Sequence, residues 1–357
     1  MIYTQQSNLP IIFQVDEGII NDVNYYLNRN NLQFSNVLVV SGKTRSYRHA
    51  KQISKINNWS EFIIEDNTLS EVERLKNYIN NNNIDLLIGV GGGKVIDTVK
   101  RASYLSNTNN LSIPTIISND GLISPIAVIK NDLGKTESLP SIMPMGVIID
   151  LDVIKDSPER FLIAAVGDVF SNISATNDWV LAFKNEREKM NDIAFHLSKS
   201  AANGLVYCEN VDVHSKPFLR LIVQGLINSG IAMSLAGTSR PCSGSEHLIS
   251  HAIDYLGCSN NVLHGTQVAS ISLFTLFLQD KLEHRHLSFA KKIGVPLDFS
   301  KLLPDFSRDL FIKIIEKARE MRVGRYSVLT MKNNEELYTE FLEYQNHINV
   351  EITPDVI

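Results

Sequence analysis

DLLIGVGGGKVID, residues Asp85–Asp97, is a continuous apolar run that ends in glycines and passes directly into a segment with helical spacing. A strand covered on both faces of a parallel sheet reads this way, because it needs no polar alternation. Glycines at its end let backbone N–H groups approach a pyrophosphate, and the start of the next helix adds partial positive charge. The spacing is neither GxGxxG nor GxxxxGK[ST], so neither of the two common phosphate-loop fingerprints applies. On this segment alone, a tight glycine turn without a ligand is the plainer alternative.

Outward from this run, VLVVS (Val37–Ser41), EFIIE (Glu61–Glu65), IPTIIS (Ile113–Ser118) and GVIID (Gly146–Asp150) read as further strands. Polar segments of helix length lie between them, including SEVERLKNYINN from Ser70, and the asparagine run Asn80–Asn83 reads as a polar loop. Alternating β and α units imply a parallel sheet with right-handed crossovers. From Pro158 onward β-type runs nearly vanish, and segments such as Phe218 to Leu235 and His264 to Leu278 carry apolar residues at helical spacing. The expected fold is an α/β domain with a parallel sheet over residues 1–155, which binds a nucleotide, followed by an all-α domain over residues 156–357.

The bulk properties agree with two globular domains: 357 residues exceed one ordinary core, and 44% of them are hydrophobic. A net charge of −5 supplies no basic field for nucleic acid or a membrane surface, so an anionic substrate must be held by local groups. The apolar stretch from Val268 to Leu278 falls well short of the roughly 20 residues of a membrane span. The N-terminus lacks the order of a signal peptide, and Cys208, Cys242 and Cys258 show no CxxC spacing, so we expect a cytoplasmic protein with reduced, mostly buried thiols.

Four residues stand out as candidate metal ligands. His247 and His251 are four apart, on one face of a helix; His264 opens the next helical pattern; Asp168 lies upstream within a helix. Two neutral imidazoles and a carboxylate around an open position make a catalytic divalent-metal site. An isolated pair of histidines at this spacing is more often a surface or satisfied core feature; here the HG and GD steps accompany it.

Taken together, GVGGGKVID, ISNDGLISP (Ile117–Pro125), GDVFSNISATNDW (Gly167–Trp179), SRPCSGSEHLISHAID (Ser239–Asp254) and HGTQVAS (His264–Ser270) resemble the iron-containing alcohol dehydrogenase and dehydroquinate synthase superfamily, and within it the glycerol-1-phosphate dehydrogenase branch. The resemblance runs in order from about Val37 to Ser270. It implies a dehydroquinate synthase-like fold, NAD(P)(H), and one divalent ion, zinc, nickel or iron, on Asp168, His247 and His264. It also implies cofactor contacts at Gly91, Gly92, Gly93, Lys94, Asp97, Thr115, Ser118 and Ser124, and catalytic or substrate-facing roles for Asp120 and His251. Arg240, seven residues before His247, would hold a substrate phosphate, to which a guanidinium is a bidentate partner.

The implied reaction is reduction of dihydroxyacetone phosphate to sn-glycerol 1-phosphate by hydride from the nicotinamide, in a homo-oligomer with no nucleic-acid partner. A different phosphorylated or phosphonate polyol, or a cyclase of the dehydroquinate synthase type, are the alternatives; the SRP and NDG blocks argue against the cyclase. The loop Ser41–Arg45 lacks an acid to grip a ribose 2′-hydroxyl, while Lys43 and Arg45 suit a 2′-phosphate, so NADPH is expected to serve at least as well as NADH.

Overall fold

The computed structural model describes residues 9–352 apart from 133 and 260. The chain forms two compact units: residues up to Phe161 with His214–Val223, and Leu162–Val213 with residues from Gln224 onward.

The first unit contains strands β1 (Ile12–Asp16), β2 (Val37–Gly42), β3 (Ser60–Ile64), β4 (Leu86–Gly91), β5 (Asn109–Pro114), β6 (Ile126–Lys130), β7 (Thr136–Pro140) and β8 (Gly146–Asp150). Helices α1 (Val23–Arg29), α2 (Arg45–Asn57), α3 (Leu69–Asn81), α4 (Gly93–Ser106) and α5 (Leu151–Ile154) connect or follow them. Six strands form one parallel sheet in the order β1-β8-β5-β4-β2-β3, and β6 and β7 form a separate antiparallel hairpin. Strand β4 is central and buried along its whole length, which explains its unbroken apolar run. The side-chain alternation of β2 divides the core. Val37 and Val39 pack with Val23, Leu27, Ala50 and Ile53, and Leu38 and Val40 with Val72, Leu75, Ile79, Val95 and Val99. Each such side chain contributes about 1.5–3 kcal/mol when fully buried.

The sequence misplaces one strand and misses three. Strand β5 begins at Asn109 rather than Ile113, because Asn110 and Ser112 are buried polar residues in mid-strand; Asn110 Nδ2 donates to Ser103 Oγ of α4. Strand β1 is a mixed five-residue edge, and the TESLP strand β7 is almost wholly exposed, so neither shows an apolar pattern. Its hairpin partner β6 was also unread.

The second unit is helical: most of α6 (Glu159–Lys184), α7 (Asp192–Val206), the greater part of α8 (Lys216–Ala236), α9 (Ser245–Leu256), α10 (His264–Leu278), α11 (His284–Lys292), α12 (Arg308–Met321) and α13 (Asn334–Ile352). By length and composition α8 would suit a membrane span, but 61% of its apolar window is buried in the protein, as in a core helix. Phe274 of α10 packs among Phe299, Phe311, Phe341 and Tyr344, with ring centroids 5.3–6.1 Å apart. Two glycines bring α6 and α10 into backbone contact. A Cβ on Gly167 would stand 2.3 Å from the Gly265 carbonyl oxygen, and one on Gly265 would stand 1.8 Å from that of Ala164. Of the three thiols only Cys242 is buried; Cys208 and Cys258 are half-buried, which corrects the expectation of mostly buried cysteines, and none of the three is in a disulfide.

Candidate metal centre and nucleotide turn

The contact between α6 and α10 explains the GD and HG steps. Asp168 follows the glycine of one helix and His264 precedes that of the other, so the close approach sets their side chains beside each other. Helix α9 adds His247. Nε2 of His247 and Nε2 of His264 each lie 4.0 Å from Asp168 Oδ1, and the three ligand atoms lie within 4.8 Å of one another. Such separations are those of donors grouped around a common centre, longer than hydrogen bonds.

The ring orientations are fixed from behind. Nδ1 of His247 lies 2.9 Å from Glu246 Oε1, a carboxylate acceptor, so this nitrogen carries the proton and Nε2 presents its lone pair. Glu246 is wholly buried and also accepts from the Gly244 N–H (2.6 Å) and Ser174 Oγ (2.7 Å). Burial pushes its carboxyl up, but the His247 hydrogen bond, with the Gly244 and Ser174 bonds, outweighs burial and holds it below the usual range. Nδ1 of His264 lies 3.2 Å from Ser250 Oγ, which donates its own proton to Gln267 Oε1; the hydroxyl therefore accepts from Nδ1, and Nε2 again faces Asp168. Asp178, buried beneath the N-terminus of α9, accepts from Ser245 N and Oγ, and from Gln279 and Val328 N. Glu246, Ser250 and Asp178 were missed in the sequence; the only signal was that Glu246 and Ser250 flank His247 at spacings of one and three.

His251 stacks on His264, with centroids 5.6 Å apart and planes at 16°. Burial first, then the neighbouring His247, Arg322 and Arg325, push His251 down to about 3; burial, then His247 and His251, push His264 well below its ordinary value. Both imidazoles are neutral near pH 7, as metal ligation requires. His251 is therefore suited to hydrogen bonding, and poorly suited to holding a proton for transfer. The unfolded chain binds protons near its ordinary value of 6.5 while the folded His251 does not until about 3, so its contribution to stability is present above about pH 6.5 and lost as pH falls toward 3. For the chelated protein, we expect the urea midpoint to fall less between pH 7.5 and 5 in a His251→Gln variant than in wild type; equal slopes would contradict the assignment.

In the first unit the expected cofactor residues gather at the C-terminal ends of β4 and β5, where open α/β sheets bind ligands. The glycines divide their tasks. A Cβ on Gly91 would come 2.6 Å from Val95 Cγ2, so Gly91 serves packing, while Gly92 caps α4 with no side-chain hydrogen bond and Gly93 has nothing within 4 Å of its Cβ position. The first turn of α4 is thus open beside Gly93, while Val95 N and Ile96 N donate back to the Gly92 carbonyl. The Thr115 N–H donates to the Gly91 carbonyl at 3.0 Å, and Ser118 and Ser124 lie further along the same segment. Lys94 Nζ pairs with Asp66 at 3.0 Å, and the buried Asp97 side chain turns inward, 3.0 Å from Lys100 Nζ. Asn119 Oδ1, rather than Asp120, accepts from Gly121 N, so the turn is made by the asparagine. Lys43 pairs with Glu65 at 2.6 Å at the exposed ends of β2 and β3.

Arg240 is not a solvent-facing loop residue. It is 1% exposed, forks onto both oxygens of Glu188, and donates to the Tyr326 carbonyl at 2.7 Å; its Nη1 has no hydrogen-bond partner. Any phosphate contact through Arg240 is restricted to Nη1.

A parallel α/β unit with an open glycine turn, together with a helical unit holding an Asp/His/His cluster, defines a metal-dependent dehydrogenase of the iron-containing alcohol dehydrogenase class. The family model described as iron-containing alcohol dehydrogenase matches residues 14–158. The chain is 36% identical over 305 residues to the glycerol-1-phosphate dehydrogenase [NAD(P)+] of Pyrococcus furiosus, covering 84% of this chain and 87% of that one. It is 34% identical over 327 residues to that of Metallosphaera sedula, covering 90% and 92%. In fold it matches a probable glycerol dehydrogenase from Sinorhizobium meliloti, with a TM-score of 0.75 at 22% identity over 95% of this chain and 97% of the other. The chain belongs to the glycerol-1-phosphate dehydrogenase family.

Proposed function

We propose that this enzyme catalyses the reversible NAD(P)H-linked, metal-dependent reduction of dihydroxyacetone phosphate to sn-glycerol 1-phosphate. The observation that carries the reading is the Asp168, His247 and His264 cluster, with both Nδ1 atoms tied back to Glu246 and Ser250 and both Nε2 atoms turned to the carboxylate. Relatives at 34–36% identity that bear this activity in their names support the substrate. A bound divalent ion supplies Lewis-acid polarisation of the ketone, and a bound reduced nicotinamide supplies the hydride. Around these groups, Asp168, His247 and His264 hold the ion and Glu246 and Ser250 keep the ligand rings oriented. Neutral His251 hydrogen-bonds a substrate oxygen, and Asp120 accepts from a substrate hydroxyl. The N–H groups at Gly92, Gly93 and Lys94 receive the cofactor diphosphate, with Thr115, Ser118 and Ser124 beside it.

Phosphate recognition separates this reading from a general polyol dehydrogenase. A charge-assisted hydrogen bond is worth about 1.5–3 kcal/mol, or roughly ten- to over a hundredfold in specificity. We therefore expect kcat/KM for dihydroxyacetone phosphate to exceed that for dihydroxyacetone by at least about tenfold. Truncating Arg240 alone would leave the half-buried Glu188 carboxylate without its partner, so the variant of choice is Glu188→Gln/Arg240→Gln, which removes both charges. Its loss should fall on the phosphorylated ketone alone. Equal use of both ketones by wild type would defeat the reading, whereas full discrimination in the variant would move the phosphate contact elsewhere.

NADPH should be used at least as well as NADH. The Lys43–Glu65 pair is exposed to solvent and therefore weak, so Lys43 exchanges Glu65 for a 2′-phosphate at little cost. Lys43→Ala should raise KM for NADPH more than for NADH; a strong wild-type preference for NADH would count against this. The same reading places the enzyme in the cytoplasm as a homo-oligomer, an assembly that light scattering would measure.

A further inference from the structure

Lys100 is fully buried in the middle of α4, and its ammonium has no part in the site described above. Nζ donates to the carbonyls of Gly121 (2.5 Å), Ser124 (3.1 Å) and Ile126 (2.5 Å), and lies 3.0 Å from Asp97 Oδ1, one helical turn earlier. A Cβ on Gly121 would stand 3.8 Å from the same Asp97 oxygen, so the pair lies directly beneath the turn. Local hydrogen bonds also shape this turn, Gly121 N to Asn119 Oδ1 and Ile123 N and Ser124 N to the Asp120 carbonyl, and Ser141 N donates to the Pro125 carbonyl.

A buried ammonium is costly unless it is both charge-paired and hydrogen-bonded. Here both conditions are met, and all three carbonyls belong to one segment, the one that carries Asp120 and Ser124. The anchoring helix is also the one whose open first turn follows Gly91 and Gly92. We infer that Lys100, paired with Asp97, is a positioning residue that fixes the segment 119–126, and with it Asp120, on the helix that receives the cofactor diphosphate. This inference rests on the proposed role of Asp120 as a substrate contact.

The test uses the full-length, metal-loaded enzyme with the charges removed together, Asp97→Asn/Lys100→Met, so that neither is left unpaired. Amide hydrogen exchange at residues 121, 123 and 124 should quicken at least tenfold while β4 is unchanged. With metal content unchanged, kcat/KM for dihydroxyacetone phosphate should fall at least tenfold. Asp120→Asn should also lose at least tenfold on its own, yet cost no more than about twofold when added to the pair variant, because the carboxylate is already misplaced. Unchanged exchange would overturn the inference, as would wild-type kcat/KM despite faster exchange, or losses that multiply independently. If wild type does not reduce dihydroxyacetone phosphate at all, the functional reading fails, and the exchange measurement still decides whether Lys100 clamps the segment. Should the pair variant not fold, Lys100→Gln, which keeps two N–H donors, carries the same comparisons with changes of about threefold.

Discussion

Chelation is expected to remove one divalent ion per chain and to abolish turnover. Asp168, His247 and His264 present three donors from three helices, and no other group of three ligating side chains within this spacing occurs among the described residues. Polarising a ketone without the ion forgoes several kcal/mol of charge stabilisation, and each 1.4 kcal/mol is about tenfold in rate, so His247→Ala or His264→Ala should lose roughly a thousandfold or more in kcat. Glu246→Gln keeps an acceptor for His247 Nδ1 but removes its charge, and should weaken metal affinity by about 10–100-fold. Elemental analysis beside steady-state kinetics checks all of these. Full activity in a preparation shown to hold no metal would refute them.

The second large effect is structural. Gly265→Ala would place a Cβ 1.8 Å from the Ala164 carbonyl oxygen and 2.6 Å from its carbon, where only backbone can yield. Helices α6 and α10 would have to separate, at more than about 3 kcal/mol, and Asp168 would leave His264 with them. We expect a large drop in Tm together with loss of bound metal, measured by calorimetry and elemental analysis. Gly204→Ala is the control: it lies in α7 with nothing within 4 Å of its Cβ position, and should be neutral or stabilising by up to about 1 kcal/mol. A Gly265→Ala protein that melts and binds metal like wild type would show that the helix contact does not build the site.

Residues whose environment is set locally were legible in the sequence. Strand β4 and the short turn from it into α4 were legible because a central strand is apolar along its length and its turn is local. The metal residues were legible only partly. The four-residue spacing of His247 and His251 gives a shared helix face, but the structure pairs His247 with His264 and Asp168 across α9, α10 and α6, which no spacing rule reveals; the motif resemblance supplied that choice. Contacts between distant segments stayed hidden. Glu188, 52 positions from Arg240, makes it a buried, paired residue. Asn110 is held in its strand by Ser103, and Lys100 is buried by carbonyls of residues 121–126, neither of which leaves a local signal.

The decisive measurement takes chelated enzyme, restores it with one equivalent of zinc, nickel or iron(II), supplies dihydroxyacetone phosphate and NADH or NADPH, and resolves the product by chirality. The expected result is nucleotide oxidation that appears only with the restored ion and yields sn-glycerol 1-phosphate. Formation of the opposite enantiomer, or the same rate with no ion present, would contradict it.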